Sequence, residues 1–137
     1  MRRDNGPQGE ISGSQLLGNA PGGVFAQGNG APTTTTATVS DSVISGGYAG
    51  ISAYAGIDGA TAKAFVTRST IDGTSYALAC ETNDTGTAIL VSSGNTVVNN
   101  FYGWYRSGTG SLLRTLGNNH ITDNASTFGA VTPAALQ

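Results

Sequence analysis

The amino-acid sequence predicts an all-β fold, a parallel solenoid of about five coils with three short strands in each coil. A phrase of apolar and small polar residues returns five times along the chain. The chain has 21 glycines but a net charge of only −2, which is typical of short strands joined by turns and not of disorder. No window keeps a helical periodicity over several turns. At 137 residues the chain has the size of one domain, and we predict a single domain over residues 1–137.

The repeated phrase is clearest at residues 39–53, VSDSVISGGYAGISA. Each copy has a small polar residue at the same place: Ser14, Ser42, Ser69, Asn95 and Asn119. Two places later each copy has an aliphatic residue: Leu16, Ile44, Ile71, Val97 and Ile121. The spacing of 28, 27, 26 and 24 residues is a period of stacked coils. Because one coil cannot bury its own apolar side chains, we predict that the aliphatic residues stack in one inner column.

A second inner column is predicted three places before the small polar residue. Its members are Ile11, Val39, Val66, Ser92 and Leu116, with Val91 in place of Ser92 if the strand slips by one residue. For one coil we predict strands over residues 50–53, 62–67 and 69–72. The loop after the first strand varies most in length, at 27–36, 54–61, 81–86 and 107–110. Variable length at one edge marks a place where insertions do not disturb the core.

The pattern Ile/Val-x-x-Asn/Ser-x-Ile/Val, followed by a turn and Gly-Ile, resembles the right-handed parallel β-helix repeat of pectate-lyase-like and related bacterial proteins. The resemblance covers roughly residues 9 to 131. It implies a right-handed parallel β-helix, in a family that includes lyases, glycoside hydrolases, epimerases, phage tailspikes and adhesins. A fold alone does not assign a reaction. No catalytic motif of these enzymes matches this sequence residue by residue, so no catalytic residue is carried over.

The two ends of the predicted solenoid carry no capping helix. Terminal coils expose unpaired strand edges unless something covers them. We therefore expect that the chain is the C-terminal part of a longer β-helix, or that another chain stacks on its ends.

Aromatic residues on the first strand and its loop suggest a carbohydrate-binding face. Alternation directs Tyr105 outward, with Tyr102 near it, and Tyr54 is expected outward beside Glu81 in the neighbouring coil. Rings bury a large apolar area at a low entropic cost, which suits sugar binding. Trp104 is expected in the core with Ile51 and Leu78. Core filling of a widened coil would explain Phe101 and Trp104 equally well.

Three carboxylates are predicted on the loop edge of neighbouring coils: Asp58, Glu81 and Asp84. Two carboxylates about 5–9.5 Å apart can catalyse glycoside hydrolysis. Three can hold a hard cation such as Ca²⁺, which is the cofactor that this sequence allows. A solvated loop edge without any chemistry explains the same pattern. No other metal site is predicted, because His120 has neither a second His nor a Cys in register.

Four further residues have structural interpretations. Asp41 and Arg68 each precede a small polar residue in neighbouring coils, so we predict an outward ion pair that fixes the register. Cys80 is the only cysteine, and its place on an alternating strand predicts a small buried side chain. Arg106 would share an inner column with Ala53 and Cys80, so the strand is expected to end before it.

Two functions from different classes fit these observations. The first is a non-catalytic structural or carbohydrate-binding β-helix module of a bacterial surface or secreted protein. The second is a polysaccharide lyase or glycoside hydrolase that uses the acidic edge. A pI near 5.0 gives no electrostatic reason to expect nucleic acid, and no apolar run is long enough to span a membrane. The location at the surface rests on the resemblance alone.

Overall fold

The computed structural model describes residues 5–20, 22–28, 33–56, 59–83 and 85–134, which form strands and turns without a helix. The strands build three parallel sheets, and the chain visits sheets A, B and C in turn. Sheet A contains β1 (Asn5–Ser12), β4 (Thr34–Ser40), β7 (Thr61–Thr67), β10 (Thr87–Ser93), β13 (Ser111–Thr115) and β16 (Thr132–Pro133). Sheet B contains β2 (Gln15–Leu17), β5 (Val43–Ser45), β8 (Thr70–Asp72), β11 (Thr96–Val98) and β14 (His120–Thr122). Sheet C contains β3 (Gly22–Gly28), β6 (Ala49–Ala55), β9 (Tyr76–Thr82), β12 (Tyr102–Ser107) and β15 (Ser126–Phe128).

This arrangement confirms the parallel β-helix fold. The five stacked strands of sheet B enclose about four full turns of the chain, slightly fewer than the five coils expected. None of the described residues forms a helix that is long and apolar enough to cross a membrane.

The first predicted inner column is confirmed in sheet B. Its aliphatic residues are direct partners from strand to strand: Leu16, Ile44, Ile71, Val97 and Ile121. The middle three are fully buried, whereas Leu16 and Ile121 at the ends are only partly buried. The column therefore buries each side chain against the coil before and the coil after it, as a solenoid requires.

The second inner column, in sheet A, departs from the prediction in its last two coils. Ser92 keeps its register with Val66 and is buried, so the predicted slip to Val91 is wrong. Val91 pairs with Phe65 on the outer face. In the next coil Thr115, and not Leu116, is the partner of Ser92. The step from Asn95 to Asn119 is two residues shorter than the step before it. The turn that follows Thr115 is nevertheless one residue longer than the turn that follows Ser92, which moves Thr115 into the column.

Ser92 is tolerated inside the apolar column because its hydroxyl group is fully hydrogen-bonded. Its Oγ donates to Oδ1 of Asn119 at 3.0 Å and accepts from Nδ2 of Asn95 at 2.8 Å. Nδ2 of Asn95 also donates to the carbonyl oxygen of Val66 at 2.9 Å. Among the described residues, no buried side-chain nitrogen or oxygen lacks a partner, which removes the penalty of burying polar groups.

The small polar residues of the repeat form a ladder along the turn between sheets A and B. From the second coil on, each one accepts a hydrogen bond from the backbone N–H of its counterpart in the previous coil. The bonds run from Ser14 to Ser42 (3.2 Å), Ser42 to Ser69 (3.2 Å), Ser69 to Asn95 (2.9 Å) and Asn95 to Asn119 (3.0 Å). The repeat therefore keeps Ser or Asn because only a short side chain with an acceptor can reach the next coil.

The turn between sheets B and C uses left-handed backbone in every coil. The positive φ angles belong to Gly18 (61°), Gly46 (72°), Gly73 (66°), Asn99 (56°) and Asp123 (55°). Glycine adopts this conformation without a steric penalty, and Asn and Asp tolerate it better than other residues. Asn99 and Asp123 therefore take the place that glycine has in the earlier coils.

Asn100, the next residue, builds a second ladder with its side chain. Its Oδ1 accepts from the backbone N–H of Thr74 at 2.9 Å, and its own N–H donates to Oδ1 of Asn124 at 3.0 Å.

The ion pair predicted between neighbouring coils is confirmed. Arg68 donates from Nε and Nη2 to the two carboxylate oxygens of Asp41, at 2.8 and 2.7 Å. Both side chains are exposed, at 66% and 48%. The bond to Arg68 lowers the pKa of the Asp41 carboxyl group below its usual value.

Sheets A and C approach each other through small side chains. Cys80 of sheet C is buried, and its Sγ lies 3.3 Å from the backbone oxygen of Ala88 in sheet A. Burial raises the pKa of the Cys80 thiol to about 11, so the predicted structural role is confirmed. Arg106 is the partner of Cys80 in β12, so the expectation that the strand ends before it is wrong. The strand continues because Nε of Arg106 donates to the backbone oxygen of Ser111 at 2.9 Å.

The terminal coils leave part of the core uncovered. A concavity of about 310 Å³ borders the inner residues Ile11 and Val24 of the first coil. Trp104 and Ile121, near the other end, are packed against the core but only partly buried. Stacking of a further coil or another chain on these surfaces stays a prediction.

Candidate binding cleft on sheet C

The outer face of sheet C has a cleft because one column of side chains changes abruptly in size. The column consists of direct strand partners: Phe25, Ser52, Ala79, Tyr105 and Phe128. Ser52 and Ala79 are each only 4% exposed, and they form a floor between two rings. The resulting cleft has a volume of about 220 Å³. It is a gap in the side-chain layer, because the backbone of the sheet continues unbroken beneath it.

Tyrosine side chains line one side of the cleft. Tyr48 lies just before β6, and Tyr76 begins β9. Their ring centroids are 4.9 Å apart, and the Tyr76 ring meets the Tyr105 ring edge-on at 5.1 Å. Tyr105 in turn stacks on Phe128 at 4.8 Å. These contacts fix the rings against one another, so the wall is preorganised.

Glu81 lines the opposite side of the cleft and connects it with a second concavity. Its column runs along the sheet beside the floor: Gln27, Tyr54, Glu81 and Ser107. The second concavity also measures about 220 Å³ and shares Phe25, Ser52 and Glu81 with the first. Tyr54 is held there by a hydrogen bond that its Oη accepts from Nδ2 of Asn83 at 2.8 Å. Glu81 is therefore the carboxylate common to both concavities.

The cleft is weakly acidic. Partial burial raises the pKa of Glu81 above its usual value. The pKa of Tyr76 is also raised, first by the hydroxyl group of Tyr48, then by burial and by the charge of Glu81. The residues lining the cleft include no Lys or Arg. Across the described part of the chain the one ion pair is Asp41–Arg68, which lies in the turns between sheets A and B.

The structure brings most of the predicted aromatic residues to this face. Tyr105 lines the cleft, and Tyr54 lies directly beside Glu81 in the neighbouring strand. Tyr102 is the strand partner of Tyr76 in the next coil. Its ring stacks on that of Tyr76 at 5.2 Å and meets that of Tyr105 at 5.5 Å. It supports the wall and does not line the cleft. That these residues bind carbohydrate stays a prediction.

Trp104 takes the expected inner position as the partner of Leu78, and its Nε1 donates to the backbone oxygen of Gly129 at 3.2 Å. Phe101, by contrast, is 58% exposed and does not fill the core.

Sequence reasoning missed several residues of the cleft: Phe25, Tyr48, Ser52, Tyr76 and Ala79. One signal was present, because Tyr76 and Tyr102 are one coil period apart and are strand partners. The floor could not be found in this way, since Ser and Ala are common throughout the chain. Their importance depends on the rings before and after them in the same column.

The predicted acidic edge is only partly visible. Asp58 and Asp84 lie outside the described residues, so their place relative to Glu81 stays a prediction. Glu81 itself lies on strand β9 and not in a loop, because the strands of sheet C run further than expected, to Ala55 and Thr82.

Within the described residues, no three His, Cys, Asp or Glu side chains converge as metal ligands. His120 is exposed on β14 opposite Thr96, as alternation predicts. Binding of Ca²⁺ at the acidic edge stays a prediction.

Comparisons with known proteins do not extend the assignment. No protein-family model matches the chain, and the searches of curated proteins and of solved structures gave no match. The pectate-lyase-like family that the repeat resembles is therefore not confirmed, and the fold and the cleft have to carry the functional argument.

Proposed function

We propose that the protein is a non-catalytic carbohydrate-binding β-helix, and that the cleft on sheet C holds the sugar. The proposal depends on one observation, the placing of two small residues, Ser52 and Ala79, between the rings of Phe25 and Tyr105. Sugar rings have apolar faces and polar edges, so they bind where aromatic rings and a few polar groups converge.

The polar groups that a sugar requires are present around the floor. Phenolic hydroxyl groups come from Tyr48, Tyr76 and Tyr105, and an aliphatic hydroxyl group comes from Ser52. The carboxylate of Glu81 can accept hydrogen bonds from the hydroxyl groups of a sugar. Phe25 and Tyr105 are separated by three coil spacings, which is about 14 Å for strands about 4.8 Å apart. A gap of this length between two rings suits a short oligosaccharide segment that lies along the axis of the β-helix.

The β-helix architecture supports a wider proposal about where this module acts. The repeat resembles that of pectate-lyase-like bacterial proteins, a group that includes tailspikes, adhesins and polysaccharide-active enzymes. We extend the proposal to a module of a bacterial surface or secreted protein. The support is the resemblance of the repeat together with the confirmed parallel β-helix.

Glu81 favours a second candidate, a glycoside hydrolase or lyase. A carboxyl group in a cleft with a raised pKa has the character of a general acid. Hydrolysis of a glycoside generally needs a second carboxylate about 5–9.5 Å from the first, and no other described carboxylate lines the cleft. Binding without catalysis is therefore the better supported function.

A glycan array followed by a degradation assay tests both candidates. We expect the wild-type protein to retain one group of oligosaccharides on the array and to leave these intact during long incubation. Degradation that stops in a Glu81→Gln variant would establish the enzyme instead. If no glycan is retained, the carbohydrate function is wrong.

A further inference from the structure

We propose that the cleft on sheet C selects a protonated amine, and that its ligand is an oligosaccharide of unacetylated amino sugars. This inference rests on the proposed carbohydrate function and narrows it to one chemical class. It depends on the rings around the cleft and on a carboxylate without a cationic partner. Each favours an ammonium group.

The rings offer several faces and edges to a small cation. Tyr76 contacts Tyr105 of the next coil and Tyr48 of the previous coil, and all three rings line the cleft. The rings of Tyr76 and Tyr105 stand nearly perpendicular, at 83°. They therefore present differently oriented surfaces to the same volume. A cation is attracted to the negative face of an aromatic ring, and cages of several rings bind ammonium groups in this way.

Glu81 supplies the negative charge that such a cation needs. Its partners on the adjacent strands, Tyr54 and Ser107, are uncharged. Arg106 is the neighbour of Ser107, but its side chain belongs to the inner column with Cys80 and bonds to the backbone of Ser111. In the part of the chain that the structure describes, Glu81 makes no ion pair.

A bound ammonium group would compensate this carboxylate. Partial burial raises the pKa of Glu81, because it disfavours the charged form of the carboxyl group. An opposite charge within a few ångströms favours the charged form. The same carboxylate would repel the acid groups of uronic acids and sialic acids, so the charge of the site excludes acidic sugars.

Three disaccharides with the same β-linkage test the inference: those of glucosamine, N-acetylglucosamine and glucose. They differ only in the group on one ring carbon of each sugar, which is an ammonium, an acetamide or a hydroxyl group. Calorimetry at about pH 6.5, between the ordinary pKa values of a carboxyl group and an amine, would give their affinities. Tetramethylammonium chloride serves as a cation without a sugar.

We expect the glucosamine disaccharide to bind at least about tenfold more tightly than the other two, a difference of about 1.4 kcal/mol. Added salt should reduce this preference, because it screens a partly exposed charge pair. Glu81→Gln should remove the preference, so that the three disaccharides bind with similar affinities. Glu10→Gln is the matched control, since it removes one exposed carboxylate from sheet A and should keep the preference.

The other outcomes separate the two proposals. Equal binding of the three disaccharides, or a preference that survives in Glu81→Gln, would overturn the amine inference and leave the carbohydrate function standing. If tetramethylammonium binds through Glu81 but none of the sugars binds more tightly, the ammonium site stands and the carbohydrate function is wrong. If no probe binds, both proposals are wrong.

Discussion

The outer faces of sheets A and C differ although their backbones are alike. Both sheets are parallel, and both direct alternate side chains away from the core. On sheet C the central column places Ser52 and Ala79 between rings. On sheet A the corresponding position carries Thr38, then larger side chains in the next three coils: Phe65, Val91 and Arg114. A β-helix therefore acquires a cleft through the order of side-chain sizes along one column, without any change in its coils.

Filling the floor should abolish binding, which is the largest effect expected. Ala79→Tyr puts a ring where the ligand lies, and we expect the affinity for the best glycan to fall about 100-fold or more, as for the loss of a central contact. Val91→Tyr makes a comparable change on the outer face of sheet A and should leave the affinity unchanged. Calorimetry measures both, and circular dichroism confirms that both variants fold. An Ala79→Tyr variant that binds normally would refute the cleft.

Removing one wall of the cleft should have an intermediate effect. Tyr105→Ala deletes a ring that faces the floor and also leaves Phe128 without its stacking partner. We expect about a tenfold loss of affinity, in line with about 1–1.5 kcal/mol for an aromatic contact. Phe65→Ala removes a half-exposed ring from sheet A and should change the affinity little. Equal losses in the two variants would show that the faces do not differ in function.

Replacing the carboxylate of Glu81 should stabilise the free protein slightly, in a way that depends on pH. The pKa of Glu81 is raised in the folded state, so the folded protein binds the proton of this carboxyl group more tightly than the unfolded chain does. Its contribution to stability is present below the unfolded pKa and is lost as the pH rises through the folded pKa.

Glu81→Gln should therefore equal the wild type at low pH and exceed it at neutral pH. Because the side chain is half exposed, the gain should stay within about 0.5 kcal/mol. Thermal unfolding across this pH range measures it, and a gain that appears only at low pH would contradict the assignment.

The exposed pair of Asp41 and Arg68 should contribute least. Exposed ion pairs are screened by solvent, so we expect the melting temperature of either single alanine variant to fall by no more than about 3 °C. The double variant should show a small coupling between the two sites. The pKa of Asp41 is lowered, so this contribution is present at neutral pH and disappears as the pH falls through the folded pKa. Strictly additive single and double variants would indicate no interaction in solution.

The sequence was sufficient for the inner columns, because stacking makes the same position meet in every coil. Ile44, Ile71 and Val97 could be placed from their spacing alone. It failed at Thr115 and Leu116, where the coil is shorter but the turn before Asn119 is one residue longer. The spacing between the small polar residues does not say how a change in length divides between strand and turn.

The cleft was harder to predict than the core. Tyr54, Glu81 and Tyr105 were expected outward, yet the floor of Ser52 and Ala79 has no sequence signal of its own. A concavity depends on the difference between neighbouring side chains in a column, which becomes visible only when the register of every strand is known. The repeat alignment could have found Tyr76 as the partner of Tyr102. It could not have found the contact of Tyr76 with Tyr48 in the previous coil, because the strand partner of Tyr76 there is Ala49.

Amide chemical shifts during titration with the best-bound oligosaccharide would test the sheet C cleft most directly. We predict that the largest changes fall on Ser52, Ala79 and Tyr105, and that Phe65 and Val91 on sheet A do not respond. Changes centred on sheet A or on the terminal coils, with the floor of the cleft silent, would contradict the account.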